Sequence, residues 1–311
     1  MRAASHDVWI VGDEGTSDCY VFEREEDAVW FRTRRGVWHM TQGSQPLDGG
    51  NLFITPEERE DILKREPGLA KFIRQVYGSR EFIHGIERYC FWLVDATPED
   101  IKRSKILYGR VEKVRNFRLS CKSKSTQKIA DRPSLFNSNR QPSTEYLLIP
   151  RHSSGERMYV PMGYVSPDII ATDAVFVLPN ATPYHFAVLT SRVHMGWMRR
   201  YAGRLRMDYR YSVNIIYNNF IWPESDPHQV IDIERTGKKI LEVRARHPKS
   251  SLSSLYDEIS MPPDLRKAHR DNDAAVMEAY GLPPGLREDE TVDRITEMYQ
   301  EFIRTKLGEE C

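Results

Sequence analysis

The feature that most constrains the fold is a change in the spacing of apolar residues near Trp222-Pro223-Glu224. Before it, between residues 146 and 178, short apolar runs end at prolines and turns, as is typical of β-strands. After it, apolar residues recur at helical spacing, which predicts helices at about 228–246, 263–280 and 289–307. The sequence therefore predicts an α+β protein in which a mixed α/β domain precedes a C-terminal helical bundle.

Turn and proline signals divide the chain further. Residues 1–44 contain two strand-like runs and a predicted helix from Glu23 to Arg34, and we interpret them as a small N-terminal α/β appendage. The turn Gln45–Gly50 marks a domain start near residue 45. We thus predict three parts, which are an appendage over 1–44, a mixed domain over 45–225 and a helical domain over 226–311.

Several elements of the mixed domain are predicted individually. Thr55-Pro56-Glu57-Glu58 is a capping box with proline at the first helical position, so a helix is expected to about Arg65. A second helix is expected from Pro67, and a basic one from Pro98 to about Lys122. Strands are expected at 51–54, 91–94, 146–149, 158–160 and 174–178. One continuous helix is expected from Tyr184 to about Arg204.

Composition excludes some classes of protein. No run of about 18 apolar residues occurs and the first residues lack an apolar segment, so we expect neither a membrane span nor a signal peptide, and a cytoplasmic location. The cysteines are widely separated and form no C-x-x-C pair, and the histidines show no metal-binding spacing. We therefore expect no metal site from Cys19, Cys90, Cys121 and Cys311.

Charge is distributed unevenly along a chain whose formal net charge is zero. Residues 101–160 hold 14 Lys and Arg against 4 Asp and Glu, and residues 186–222 hold 6 against 1, whereas residues 226–311 hold 13 against 18. Basic clusters attract phosphate backbones and release their counterions. The pattern favours a nucleic-acid partner for the middle of the chain, and the alternative is a solvated surface with scattered charges.

Motifs of complete enzymes are missing from the sequence. The Asn/Asp-Pro-Pro-aromatic loop of a DNA amino-methyltransferase is absent, because the only Pro-Pro pairs stand in Met261-Pro262-Pro263-Asp264 and Leu282-Pro283-Pro284-Gly285. No glycine-rich cofactor loop, phosphate-binding lysine loop or nuclease pattern occurs. We therefore expect no catalytic residue and no cofactor in this chain, although a site assembled from distant residues stays open.

Four basic side chains of the first cluster are candidates for phosphate contacts, which fix register on a duplex without reading sequence. They are Arg115, Arg118, Lys122 and Lys124. The alternative is an ordinary solvated helix face. Between two predicted strands, residues 151–157 predict a hairpin loop suited to a major groove. Its candidate residues are Arg151, Ser153, Ser154 and Arg157, and the alternative is an ordinary exposed hairpin.

The second basic cluster supplies further candidates. On the helix predicted from Tyr184, the side chains of Ser191 and Arg192 are expected to point outward. Arginine and asparagine make the best bidentate contacts with guanine and adenine. The densest set of such residues comprises Arg204, Arg206, Arg210 and Asn218. Arginine also pairs with carboxylates, so a structural role for about half of the arginines stays open.

Longer strings of the sequence resemble the MmeI-like DNA methyltransferases of type IIL and IIG restriction-modification systems. The similarity runs from about residue 45 to 306. The strings that carry it are 81–93 (EFIHGIERYCFWL), 146–151 (YLLIPR), 179–182 (PNAT), 203–205 (GRL), 209–212 (YRYS), 217–220 (YNNF) and 261–269 (MPPDLRKAH). In that family, one polypeptide joins a nuclease region, a methyltransferase core, a target recognition domain and a C-terminal helical region, and the match covers the last two.

The resemblance implies sequence-specific recognition of double-stranded DNA in the service of adenine-N6 methylation from S-adenosylmethionine. The methyltransferase core is expected in another polypeptide or segment, because its motifs are not among these residues. We further expect the basic surfaces of 101–160 and 186–222 to lie on one side, facing a duplex. Two alternatives remain, which are an intact enzyme with an unrecognised site and a protein-interaction subunit that docks on a larger methyltransferase.

Overall fold

The computed structural model describes residues 39–205, 208–283 and 285–309, together with the backbones of Ile10–Val11 and Cys19–Tyr20. For Leu205 and residues 306–309 the description is limited to the backbone. The two short N-terminal segments pair as antiparallel strands, with Ile10 opposite Tyr20. The predicted helix from Glu23 to Arg34 lies outside the described residues.

The strands are short and are distributed over the first two thirds of the chain. In chain order they are β1 (Ile10–Val11), β2 (Cys19–Tyr20), β3 (Thr41–Gln42), β4 (Phe53–Ile54), β5 (Ile73–Tyr77), β6 (Tyr89–Phe91), β7 (Tyr146–Pro150), β8 (His152–Ser153), β9 (Gly163–Val165), β10 (Ile170–Ala171), β11 (Val175–Pro179), β12 (Gly203–Leu205) and β13 (Asp208–Arg210).

The three longest helices of the described residues lie in the C-terminal third of the chain. In chain order they are α1 (Pro56–Arg65), α2 (Ser79–His84), α3 (Pro98–Arg103), α4 (Lys105–Ser120), α5 (Lys124–Lys128), α6 (Pro183–Leu189), α7 (Arg192–Tyr201), α8 (Pro227–Ala245), α9 (Leu252–Leu255), α10 (Pro263–Ala279) and α11 (Glu288–Glu309). Helices together with several sheets confirm the predicted α+β class. No helix of the described residues combines the length and the apolar character that crossing a membrane requires.

Backbone contacts group the chain into two compact units. The mixed unit comprises residues 41–150 and 164–177, and the helical unit comprises residues 1–40, 151–163 and 178–311. These units cut the chain at other places than residues 45 and 225, so the predicted three-part division stays a prediction. Each unit is described by itself below.

The mixed unit is built around a four-stranded sheet in the order β10-β5-β6-β4. Its core is apolar and includes the fully buried Leu52, Val76, Phe91 and Leu107. The predicted capping box at the start of α1 is present, since Glu58 N donates to Thr55 Oγ1 over 3.2 Å and Thr55 N donates to Glu58 Oε2 over 3.0 Å. Local signals therefore fixed the start of this helix.

The helix predicted from Pro67 is wrong beyond its first turns. A 3₁₀ helix spans Pro67–Phe72, and the chain then continues as strand β5. β5 lies between β6 and β10, so the side chain of Val76 is buried on a central strand. β-branched residues favour such a position, and short apolar runs do not distinguish a strand from a helix by spacing alone.

The helical unit contains the three predicted C-terminal helices, which are confirmed as α8, α10 and α11. α6, α8 and α10 pack closely, because Gly237 of α8 has no side chain: a Cβ atom there would lie 2.8 Å from that of Ala187 in α6. A buried polar link joins the same helices. Thr236 Oγ1 donates to Asn272 Oδ1 over 2.9 Å, and Asn272 Nδ2 donates to Ala187 O over 2.9 Å.

Two further expectations in this region are wrong. The single helix expected over 184–204 is broken into α6 and α7, because Ser191 caps the second helix by accepting a hydrogen bond from His194 N. No strand forms at 158–160, and β9 begins only at Gly163. The backbone and side-chain polar groups of residues 158–160 instead form hydrogen bonds with side chains of α7 and α10.

Candidate nucleic-acid interface

A small antiparallel sheet of the helical unit brings together the two basic segments of that unit. Its strand order is β12-β13-β8. Ser153 lies opposite Tyr209, and His152 lies opposite Arg210. The remaining pairs join β13 to β12, with Arg204 opposite Tyr209. Strand pairing thus places residues 152–153 beside residues 203–210, which are distant in sequence.

Because residues alternate between the two faces of a strand, the register assigns each side chain to a face. One face carries Arg210, its cross-strand neighbour His152, and Asp208 two positions along β13. We call these three residues the polar face. Arg210 and Asp208 are exposed, and His152 is half-buried. The opposite face carries Tyr209 and Ser153, both buried, and it attaches the sheet to the unit.

Positively charged side chains surround His152 on the polar face. Burial lowers the pKa of His152, the guanidinium groups of Arg151 and Arg210 lower it further, and Asp208 opposes them. His152 is therefore neutral at pH 7, with one ring nitrogen available to donate and one to accept a hydrogen bond. No ion pair joins Arg210 to a carboxylate among the described residues. The face thus combines an available guanidinium, a neutral imidazole and a carboxylate.

An aromatic ring orients Arg204 on the neighbouring strand. The Arg204 guanidinium lies 4.6 Å from the centre of the Tyr209 ring, and its Nη2 donates to Tyr209 Oη over 3.3 Å. Cation–π contact and the hydrogen bond restrict the rotamers of a side chain that is otherwise exposed. Arg204 is therefore held on edge strand β12, on the face opposite the polar face, and its side chain remains exposed.

The loop after β8 is a tight turn and not the hairpin that the sequence predicted. Arg157 N donates to Ser154 O over 3.3 Å, and β8 pairs with β13 rather than with residues 158–160. Arg157 turns back into the unit, where it donates to Ser153 Oγ over 3.4 Å and to Ser253 Oγ over 3.2 Å. Arg157 and Ser153 thus hold the loop, whereas Ser154 is half-exposed at the turn.

Other candidates of the helical unit are placed away from solvent. Ser191 is fully buried as the cap of α7 and donates to Val188 O over 2.7 Å. Asn218 is buried where the π-helix Val213–Tyr217 ends. Arg192 is half-buried, and its backbone N donates to the buried Asp273. These positions correct the expectation that Ser191 points outward, because the helix was expected to continue through it. Arg206 lies outside the described residues.

The mixed unit presents its own basic surface on α4 and α5. Arg115, Lys122 and Lys124 are exposed, and no ion pair engages them in the part of the chain that the structure describes. Tyr108 and Leu119 on α4 are each 53% exposed. The basic helix expected from Pro98 is present as α3 and α4. This surface offers three mobile cations for phosphate contacts.

The prediction that Arg118 contacts phosphate is wrong. Its side chain is fully buried, and all five N–H donors reach backbone carbonyls. Nε donates to Leu47 O over 3.0 Å, Nη1 to Ile129 O and Arg132 O over 3.0 and 2.9 Å, and Nη2 to Pro46 O and Leu135 O over 3.2 and 2.7 Å. Arg118 thus fastens two chain segments, 46–47 and 129–135, to α4 and has no donor left for a phosphate. Sequence shows a basic residue but not the carbonyls around it.

Sequence reasoning also missed three members of the sheet. His152, Asp208 and Tyr209 are close in sequence to the predicted site residues Arg151, Ser153 and Arg210, but they were not predicted themselves. The alternation in Tyr209-Arg210-Tyr211 of apolar and charged residues is a strand signal, and it was the available indication that Arg210 and its neighbours line a sheet. The partner strand and its register follow only from the fold.

The Pro-Pro pair that the structure describes is not a catalytic loop. Pro262 and Pro263 form the start of α10, where Pro263 is the first helical residue, so this pair does not stand beside a strand. The other pair includes Pro284, which lies outside the described residues.

Comparisons with known proteins match most of the chain to one family. Residues 31–224 match the family description "MmeI, target recognition domain", and residues 225–307 match "MmeI, C-terminal domain". DNA methyltransferase A of Bacillus subtilis (strain 168) is 34% identical over 260 residues, which are 84% of this chain and 30% of that protein. The solved structure of the type IIL restriction-modification enzyme MmeI in complex with DNA has a TM-score of 0.85 and 36% identity, over 86% of this chain and 36% of that one.

This chain thus spans about a third of the length of both relatives. The two family matches adjoin each other and together cover nearly all residues from 31 onward. The solved relative shares the fold, and its 36% sequence identity is high enough to indicate common family membership as well as common architecture. The chain therefore belongs to the MmeI family, of which it carries the target recognition domain and the C-terminal domain.

Proposed function

We propose that this chain binds double-stranded DNA and reads its sequence through the polar face of the β12-β13-β8 sheet. The observation that carries the proposal is the exposed Arg210 beside the neutral His152 and Asp208 on one face. The MmeI structure to which the chain is similar is a complex with DNA, which supports a DNA partner. Buried residues of the opposite face, Tyr209 and Ser153, attach the sheet to the unit.

The three side chains of the polar face suit the edges of bases. Arginine donates two parallel hydrogen bonds to guanine, and a carboxylate accepts one from the cytosine amino group. A neutral imidazole donates and accepts without adding charge. The major groove is wide enough to admit a two-stranded β-ribbon. Arg210 and His152 stand on two paired strands, β13 and β8. Arg204, held against Tyr209, is proposed to contact the phosphate backbone at the edge of the sheet.

Phosphate contacts are proposed for a further set of cations. They comprise the half-buried Arg151, which directly precedes β8, and the exposed Arg115, Lys122 and Lys124 of the mixed unit. Such contacts fix the register of a protein on DNA but discriminate little between sequences. That the two units present their basic surfaces to the same duplex stays a prediction.

The first prediction concerns Arg210. The chain is used to select its preferred sequence from duplexes with a randomised centre, and affinities for that duplex and for a shuffled one are then measured across salt concentrations. We expect Arg210→Ala to weaken binding to the preferred duplex by about 10- to 100-fold, because a bidentate base contact contributes about 1–3 kcal/mol. Binding to the shuffled duplex should change much less.

The matched control is Arg235→Ala, which removes an exposed arginine of α8 that is paired with Asp232. It changes net charge equally and should leave discrimination unchanged. Replacing Lys122 should instead weaken both duplexes alike and reduce the log–log salt slope by about 0.9. Equal loss on both duplexes for Arg210→Ala would show a phosphate contact, and a flat salt response of the parent chain would reject DNA binding.

We further propose that recognition by this chain serves adenine-N6 methylation carried out by a catalytic module that uses S-adenosylmethionine. One relative is a DNA methyltransferase of which this chain covers 30%, which supports this division of labour. The second prediction is that the isolated chain transfers no labelled methyl group to mixed DNA, and that adding a methyltransferase core of the family restores transfer. Turnover by the chain alone would favour the alternative of an intact enzyme.

A further inference from the structure

The segment that follows strand β8 is fastened to the helical unit residue by residue. Arg199 Nη1 donates to Met158 O over 2.8 Å, and Val160 N contacts Met195 Sδ at 3.3 Å. Arg244 Nη1 donates to Met162 O over 2.6 Å. Between them, the Tyr159 ring stacks on His269 with centres 4.1 Å apart. This segment is therefore held along its length by side chains from α7, α8 and α10.

One carboxylate lies at the centre of these contacts. Tyr159 Oη donates to Asp273 Oδ2 over 2.6 Å, and Arg192 N donates to Asp273 Oδ1 over 2.7 Å. Asp273 belongs to α10 and is only 6% exposed. A buried carboxylate with two short hydrogen bonds has a well-defined position, since burial limits the access of water that could replace either donor.

The two donors control the two outer strands of the candidate sheet. Tyr159 ends the turn that begins at β8, and β8 is one edge of the β12-β13-β8 sheet. Arg192 begins α7, which runs to Tyr201 and leads directly into β12, the other edge. Asp273 thus ties together the segment that leaves one edge of the sheet and the helix that leads into the other. A shift of either segment would change where the central strand β13 presents Arg210.

We propose that Asp273 is a positioning residue for sequence recognition, through which the C-terminal helices set the geometry of the polar face. The inference rests on the proposed function of that face. It assigns the acidic helical end a part in DNA reading, although none of its residues needs to contact DNA. Recognition sites require side chains to be held within about 0.5 Å, so small displacements reduce discrimination before they reduce overall binding.

The test is the third prediction, and its readout is the ratio of affinities for the selected duplex and the shuffled duplex. Asp273→Ala removes both hydrogen bonds and should lower this ratio by about 10-fold, whereas Tyr159→Phe removes one and should lower it less. The double variant should lower the ratio no further than Asp273→Ala, because that variant has already lost the link to Tyr159. Asp273→Asn keeps one acceptor oxygen and should restore part of the ratio. The salt slope should stay unchanged in all four variants, because no phosphate contact is lost.

Controls separate positioning from general loss of stability. Val276→Ala removes fully buried volume from the same helix, so it should destabilise the unit while leaving the ratio intact. Asp271→Asn alters an exposed carboxylate of α10 that pairs with Lys267, and it should change neither quantity. All ratios are measured well below the unfolding temperature of each variant.

The outcomes distinguish this inference from the proposed function. A parent chain that does not discriminate between the two duplexes would overturn the proposed function itself. A discriminating parent together with an unchanged ratio in Asp273→Ala would overturn only the positioning role. A fall in the ratio for Val276→Ala as large as for Asp273→Ala would likewise overturn it, since discrimination would then follow stability alone.

Discussion

Arg118→Met should lower the free energy of unfolding of the mixed unit by about 3–5 kcal/mol, the largest effect expected from any single substitution here. The parent side chain supplies five hydrogen bonds to carbonyls of Pro46, Leu47, Ile129, Arg132 and Leu135. Methionine fills similar volume but donates none, so five carbonyls lose the guanidinium donors at once, and three of them keep only a backbone N–H. The buried Asp48 also loses a nearby positive charge.

Urea unfolding of the parent and variant chains measures this effect. Arg118→Lys should recover only part of the loss, because an ammonium group has three donors for five acceptors. The matched control is Arg115→Met on the same helix, where the exposed side chain makes no ion pair with a described acidic residue, and stability should change by less than about 0.5 kcal/mol. Similar losses in Arg118→Met and Arg115→Met would contradict the structural role of Arg118.

Acidification from pH 8 to pH 5 should reduce the stability of the helical unit by about 3 kcal/mol. His194 and His269 are fully buried, and burial lowers the pKa of each to about 3, with Arg244 adding to the effect at His269. Their imidazoles are neutral in the folded protein but take up protons in the unfolded chain below its ordinary pKa of 6.5. The stabilising contribution of each is therefore complete above pH 6.5 and is lost as pH falls, by about 2 kcal/mol at pH 5.

The titration of Asp273 changes stability with pH in the opposite direction. Burial raises the pKa of Asp273 to about 6, opposed by hydrogen bonds from Tyr159 and Arg192 N. The folded protein therefore binds this proton more tightly than the unfolded chain does, and the contribution is complete below pH 4 and is lost as pH rises through 6. Between pH 8 and pH 5 it offsets about 1 kcal/mol of the loss from the two histidines.

Urea unfolding at several pH values provides the measurement. His194→Gln and His269→Gln should each lose only about a third as much stability as the parent between pH 8 and pH 5, whatever their absolute stability. His228→Gln changes an exposed histidine at the start of α8 and should retain the parent slope. Identical slopes in the parent and in both buried-histidine variants would mean that these groups do not govern the acid response.

The elements that sequence predicted correctly are those whose signals are local. The capping box at Thr55, the proline-started helices α8 and α10, and the apolar run of β7 depend on residues within a few positions of one another. Where several structures satisfy the same local pattern, the prediction was wrong. Ile73 and Val76 fit a helical stripe and a strand equally well, and the partner strands β6 and β10 decide between them.

The candidate site divides in the same way. Residue type and charge identified Arg204, Arg210 and the basic residues of α4 and α5, because these properties belong to each side chain. Burial does not, and the same types include Arg118, which is enclosed by carbonyls, and Ser191, which caps a helix. Chemistry alone could not separate a solvent-facing arginine from one that holds the core together.

By itself, the sequence determined that this chain is an α+β protein with a helical end, that its positive charge is concentrated in the middle, and that it resembles one family along most of its length. Only the tertiary structure decided that β8 pairs with β13, that Arg118 is internal, and that Asp273 joins the segments adjoining both edges of one sheet. The physical reason is that capping and apolar periodicity act between neighbours in sequence, whereas register, burial and hydrogen-bond partners arise between residues far apart in the chain.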